Sequence, residues 1–172
     1  MPEIIHTVDI AVTDRNRRIL LVERGKDPFR GKLVLPGGHV DPEDYVLATQ
    51  APADYCTVAL PGAREAFWVD RDCEDPLRAL AERIAAAREL AEEAGVIVEP
   101  GELNFALTLK RPGRDPRGHY VSSLYVVGVS PDRLAAARAG SDAALIVLRD
   151  VNDVREDEMG FDHFDAVLLL QD

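Results

Sequence analysis

Three glutamates, Glu89, Glu92 and Glu93, fall in the run Arg88-Glu89-Leu90-Ala91-Glu92-Glu93-Ala94-Gly95-Val96. On an α-helix their side chains lie within roughly 100° of one another, so three carboxylates share one face of about one turn. Like charges at that spacing repel by a few tenths of a kcal/mol per pair. A hard cation that takes oxygen ligands, Mg²⁺ or Mn²⁺, would turn the repulsion into a binding site. A solvated acidic face is the other reading of E-x-x-E-E taken alone.

Upstream lies Leu35-Pro36-Gly37-Gly38-His39-Val40-Asp41-Pro42-Glu43-Asp44, whose paired glycines permit a tight turn and a close backbone approach. Together the two stretches resemble the Nudix hydrolase signature, G-x5-E-x7-R-E-U-x-E-E-x-G-U with U aliphatic. Arg88, Glu89, Leu90, Glu92, Glu93, Gly95 and Val96 match every fixed position of its second half. In the first half Gly38 takes the glycine position, but Asp44 stands where the signature has Glu, and the arginine comes at 88 rather than 52. The chain carries a split Nudix box.

Those residues need a helix to carry them and strands to face it. Asp75-Pro76 is a helix start, with an N-cap acceptor and proline at the first helical position, and Gly95 is a left-handed stop. Leu77, Leu80, Ile84, Ala87 and Ala91 recur at threes and fours and are expected to form the core stripe. Glu82, seven residues before Glu89, has two readings: the carboxylate that the split displaces, or an ion-pair partner of Arg78. Ile4 to Thr13 and Ile19 to Glu23 read as a hairpin, and Asn104 to Lys110 with Tyr120 to Ser130 as paired strands. Pro131 to Gly140 reads as a short helix and turn, Ala143 to Arg149 as a strand, and Phe161 to Leu170 as a final helix or strand.

The stretch of about 45–74 exceeds the family spacing and is too apolar for a disordered linker. Three readings are open for it: an extra hairpin packed on the domain, a lid, or a dimer contact built on Phe67 and Trp68.

At 172 residues and 47% hydrophobic, the chain is expected to be a single domain, 1–172, that buries its own core. Twenty basic against thirty-one acidic side chains give a net charge of −11, which argues against a nucleic-acid partner held through phosphates. Cys56 and Cys73 form no metal-ligand pattern, and a reduced setting is expected. There is no 18-residue apolar run and no basic-then-apolar leader after Met1-Pro2-Glu3, so neither a membrane span nor a signal peptide is expected, and the localisation expected is cytoplasmic.

The resemblance extends to the Arg114-Asp115-Pro116-Arg117-Gly118 loop and to Phe161-Asp162-His163, which are similar to those of the ADP-ribose pyrophosphatase subgroup. It implies an α/β fold, a Nudix-type α/β/α sandwich around a mixed β-sheet. It also implies Mg²⁺-dependent (Mn²⁺ possible) hydrolysis of a nucleoside diphosphate derivative, with ADP-ribose the first choice and an oxidised nucleoside triphosphate the alternative. A Nudix-fold protein that senses a nucleotide without cleaving it is a further alternative. By resemblance Glu89, Glu92 and Glu93 are the catalytic metal ligands, Gly38 adds a carbonyl, and Arg88 orients a glutamate. Arg114 and Arg117 are candidates for the phosphate or ribose end, and Phe29 or Tyr120 for stacking on a base. His119 and His163 are read as ordinary surface or core histidines. A homodimer is common in the family.

Overall fold

The computed structural model describes residues 3–51, 75–140 and 143–171. Its strands are β1 (Ile5–Asp14), β2 (Arg18–Arg24), β3 (Leu33–Val34), β4 (Gly37–His39), β5 (Asn104–Leu109), β6 (Tyr120–Val129) and β7 (Ala143–Asp150). Its α-helices are α1 (Pro42–Gln50), α2 (Pro76–Ala94), α3 (Pro131–Ala135) and α4 (His163–Leu168). The final segment, left open between helix and strand, is therefore helical.

The seven strands form one mixed sheet in the order β3-β2-β1-β6-β5, with β7 on β2 and β4 on β1. β1 runs parallel to β6 along its full length, from Ile5 opposite Tyr120 to Asp14 opposite Val129. β1 and β2 pair only beside their turn, at Thr13 and Ile19. That turn forms because the Asp14 carboxylate accepts the backbone N–H groups of Asn16 and Arg18, while Arg17 takes φ 62°. Beyond it the segment 33–39 fits between the two strands, β3 antiparallel to β2 and β4 antiparallel to β1.

Alternation along β1 sends Val8, Ile10 and Val12 to the face covered by α2, where they pack with Ala85, Ala86, Leu90 and Ala94. Ala11 faces the other way and packs with Leu124, Ala166 and Val167, so α4 and the segment before it cover the second face. The result is the three-layer α/β/α arrangement expected.

The expected stripe on α2 needs correction. Leu80 is buried, but Leu77 is 40% exposed, and the face against the sheet is Ala85, Ala86, Leu90 and Ala94. Leu80 and Ala81 instead form a second contact, with Ala48 of α1, flanked by Tyr45 and Ile84. A helix buried on two sides has two apolar faces, and alanines mark the one that lies closest to the sheet. Glu82 belongs to this interior and not to the acidic turn: it is 1% exposed, takes the Arg78 Nε–H at 2.8 Å and the Tyr125 hydroxyl at 3.2 Å. The ion-pair reading holds.

Both caps of α2 form as expected, Asp75 accepting from the N–H groups of Leu77 and Arg78, and Gly95 sitting at φ 64°. α1 continues through Tyr45 to Gln50, so the first part of the extra stretch is helix packed on α2. The remainder, with Cys56, Phe67, Trp68 and Cys73, lies outside the described residues. No helix among the described residues is long and apolar enough to cross a membrane. Leu90 is fully buried beneath the acidic turn, so Leu90→Ala is expected to lower unfolding free energy by about 2–5 kcal/mol, measured by urea denaturation.

Candidate active site

The acidic face of α2 points at Gly37 and Gly38, which lie not in a tight turn but in strand β4, paired with Asp9 and Val8 of β1. Gly37 donates its N–H to Glu93 Oε2 at 3.0 Å. A Cβ on Gly38 would lie 2.3–2.5 Å from the Glu89 carboxyl group, and one on Gly37 would lie 2.1 Å from the Val8 carbonyl oxygen. The approach of sheet backbone requires glycine at Gly37, while at Gly38 an added Cβ would displace the end of the Glu89 side chain.

Arg88 ties the acidic turn to the opposite loop. Its Nη1 reaches Glu89 Oε1 at 2.7 Å and Glu92 Oε2 at 3.4 Å, and its Nη2 donates to the His39 carbonyl at 3.0 Å. It also pairs with Asp44, at 3.1 Å from Nε and 2.9 Å from Nη2, and with Asp41 at 3.3 Å. Asp44 is 1% exposed and also accepts the Asp41 N–H at 2.8 Å, which fixes its carboxylate at the start of α1. The two parts of the box that the sequence separates thus meet through this ion pair. The Asp44 hydrogen bonds raise the Arg88 guanidinium further above its ordinary value, outweighing burial. Burial lifts the Glu89 carboxyl above the usual glutamate range; Arg88 pulls it down, and Glu92 and Asp41 add to the rise.

Facing this wall is a second, buried network. Asp9 accepts the Ser122 hydroxyl at 2.6 Å and lies 3.3 Å from His163 Nε2 and 3.5 Å from Arg114. Arg114 is held bidentately by Asp162 at 2.7–3.0 Å. Burial pushes the Asp9 carboxyl up, but His163, Arg114 and Ser122 together hold it below the usual aspartate range. Between the two walls lies a cavity of about 320 Å³.

The cavity brings together most residues singled out from sequence: Gly38, Arg88, Glu89, Glu92, Glu93, Arg114, Arg117 and Tyr120 all line it. Arg114 is committed to Asp162, so it meets a ligand as part of an ion pair. Arg117 is paired with Asp115 at 2.6 Å and lies over the Tyr120 ring at 4.7 Å. Phe29 is not on the wall; it packs behind Phe161, ring centroids 4.7 Å apart, and Phe161 faces the cavity. Asp9 and His163 were missed as site residues. A lone acid inside the apolar run Val8-Asp9-Ile10-Ala11-Val12 was the signal that could have found the first.

The carboxylates offer an all-oxygen donor set of the kind a hard divalent cation takes. Among the described residues no three His, Cys, Asp or Glu side chains converge closely enough to hold a metal ion as placed. Arg88 occupies the space between Glu89 and Glu92, while Gly38 lies against Glu89 with no side chain to block a shared ligand. The donor chemistry fits the cation, and its entry requires Glu89 and Glu92 to turn from Arg88.

Comparison with known proteins agrees with this geometry. The family model for the NUDIX domain matches residues 5–50. The ADP-ribose pyrophosphatase of Methanocaldococcus jannaschii is 26% identical over 152 residues, covering 88% of this chain and 64% of that protein, so the chain spans under two thirds of its relative. Among solved structures, the NUDIX domain of Shewanella oneidensis NrtR, complexed with ADP ribose, superposes with a TM-score of 0.66 at 20% identity, over 98% of this chain and 86% of that one. A bifunctional NMN adenylyltransferase/ADP ribose pyrophosphatase from Francisella tularensis, complexed with AMP and a manganese ion, gives 0.64 at 18% identity, over 99% and 42%. The fold is that of the Nudix proteins. The residues that resemble the two parts of the Nudix box lie on β4 and α1 and on α2.

Gly38→Ala is expected to keep its fold, because the added methyl meets only the end of the Glu89 side chain, whereas Gly37→Ala meets backbone and lowers the melting temperature. Comparing thermal melts of the two variants checks this. Because the folded Asp9 carboxyl sits below the ordinary aspartate value of about 3.9, its charge adds stability above that pH that is lost as pH falls through the folded value. Asp9→Asn is therefore expected to have a lower urea midpoint than the parent near neutral pH, with the gap narrowing in acid.

Proposed function

We propose that this domain hydrolyses the diphosphate linkage of a nucleoside diphosphate derivative in a reaction dependent on Mg²⁺ or Mn²⁺, with ADP-ribose giving AMP and ribose 5-phosphate. The observation that carries the reading is the Glu89, Glu92 and Glu93 face of α2 held against Gly37 and Gly38 of β4 at the edge of the cavity. Its relatives support the substrate class: the M. jannaschii protein is an ADP-ribose pyrophosphatase, and the NrtR domain is seen with ADP ribose.

Bound at these carboxylates and the Gly38 carbonyl, a divalent cation would offset the charge of the diphosphate and activate a water. The chain's own contribution is placement. Arg88, anchored by Asp44, holds Glu89 and Glu92 until a cation displaces it, and the Gly37 N–H sets the rotamer of Glu93. Glu89, lifted in pKa by burial, is a carboxylate suited to accept the proton of the attacking water. Water oxygen adds to one phosphorus as the bridging P–O bond breaks. Arg117, 4.7 Å over the Tyr120 ring, offers its guanidinium to the phosphate, ribose or base end. The proposal includes a cytoplasmic setting and a homodimer.

A second reading, a domain that senses ADP-ribose without cleaving it, is favoured by one observation: Arg88 bridges Glu89 and Glu92, and among the described residues no three carboxylates converge. Release of AMP from ADP-ribose, other nucleoside diphosphate sugars and nucleoside triphosphates, with Mg²⁺, Mn²⁺ or chelator, separates the two. The hydrolase reading expects metal-dependent cleavage that Glu92→Gln or Glu93→Gln lowers about 100-fold or more without loss of fold. The sensor reading expects a ligand-induced rise in melting temperature and no product.

A further inference from the structure

The crossover from β3 to β4 is the two-residue segment Leu35-Pro36, and it sets where Gly37 and Gly38 lie. Pro36 has no N–H, so its anchor on β1 is its carbonyl, which accepts the Ile10 N–H at 2.9 Å. Leu35 is 2% exposed, and its backbone N–H points away from both strands to His163 Nδ1 at 3.0 Å. With Nδ1 accepting, the ring proton sits on Nε2, which faces Asp9 Oδ1 at 3.3 Å. Asp9 in turn stands opposite Gly37 in the β1–β4 register.

His163 thus touches the Leu35–Pro36 turn and the β1 residue opposite Gly37 through one ring. Around it the chain is built to hold that ring still. Gly160 donates its N–H to the Leu33 carbonyl at 2.9 Å, Met159 bridges Leu33, and Arg114 clamps Asp162. Phe161 takes φ 53°, a conformation that a bulky residue adopts only where its surroundings enforce it. His163 itself is 4% exposed with both nitrogens engaged, so it acts through its neighbours and not on a ligand.

We propose that His163 is a positioning residue that, through the Leu35–Pro36 turn, sets Gly37 and Gly38 of β4 against the acidic face of α2, so that the Gly38 carbonyl and the Glu89 and Glu93 carboxylates meet at one place. The inference rests on the reading of that place as a divalent-cation site. It also explains what the Phe161-Asp162-His163 segment does there, which is to deliver an imidazole to the turn from 128 residues away.

The test uses the full chain with His163→Ala, which removes both contacts, and His163→Asn, whose amide oxygen restores an acceptor at the Nδ1 position. Two readouts are taken: Mn²⁺ binding followed by electron paramagnetic resonance, and amide hydrogen exchange without metal. The expected result is that His163→Ala binds Mn²⁺ about tenfold more weakly and loses protection at Leu35 and Gly37 alone, and that His163→Asn recovers both. Unchanged Mn²⁺ affinity together with unchanged protection at those amides would overturn the assignment. So would a loss of protection spread evenly over β6, which marks a general structural role. A parent chain that takes up no Mn²⁺ would remove the cation site while leaving exchange at Leu35 and Gly37 to decide whether His163 positions the turn. Should His163→Ala fail to fold, His163→Gln, which keeps the bulk but offers no acceptor at the Nδ1 position, replaces it.

Discussion

Arg88 sits among carboxylates that would otherwise repel one another, and its pairing with buried Asp44 is the interaction on which the site depends. Asp41, Asp44, Glu89 and Glu92 all lie within 3.4 Å of its guanidinium. An arginine fork can meet several oxygens at once in fixed geometry, which a lysine cannot. The pair joins the start of α1 to the middle of α2, and so it restores in space a pattern that is interrupted along the chain. Asp44 in place of glutamate is one methylene shorter. Its carboxylate accepts the Asp41 N–H at 2.8 Å, which fixes it at the start of α1.

The sheet supplies the other half of the arrangement. Because β1 and β2 pair only next to their turn, there is room between them for the segment carrying the two glycines. One wall of the resulting cavity is acidic and rides on α2; the other is a closed network of Asp9, Ser122, His163, Arg114 and Asp162. Buried charges of this kind are tolerated when each is paired and hydrogen-bonded, and here every member has a partner. A chain with net charge −11 thereby lines its cavity with carboxylates on one side and the guanidinium groups of Arg114 and Arg117 on the other.

How much of this was legible depended on the range of the interaction. Glu89, Glu92 and Glu93 were readable because a helix fixes their spacing locally, and Asp75 and Gly95 because caps are local chemistry. The Asp44–Arg88 pair spans 44 residues, and nothing local says that α1 will return to α2. The expected α2 stripe of Leu77, Leu80, Ile84, Ala87 and Ala91 is rotated from the face that meets the sheet, because Ala85, Ala86, Leu90 and Ala94 let the helix lie close there while Leu80 packs on α1. Phe29 and Phe161 are equivalent as aromatic candidates in sequence; only their stacking order shows which one faces the cavity. His163 looked ordinary because its importance lies in a backbone N–H, a partner that no side-chain pattern reveals.

The most direct test of the joined box is a double-mutant cycle on Asp44→Asn and Arg88→Gln, read by urea denaturation in chelator so that no cation contributes. Direct contact predicts a coupling energy on the order of 1–3 kcal/mol, with the second substitution doing little once the first is made. Additive effects, with coupling near zero, would mean that α1 and α2 are not held together through this pair and that the box remains divided.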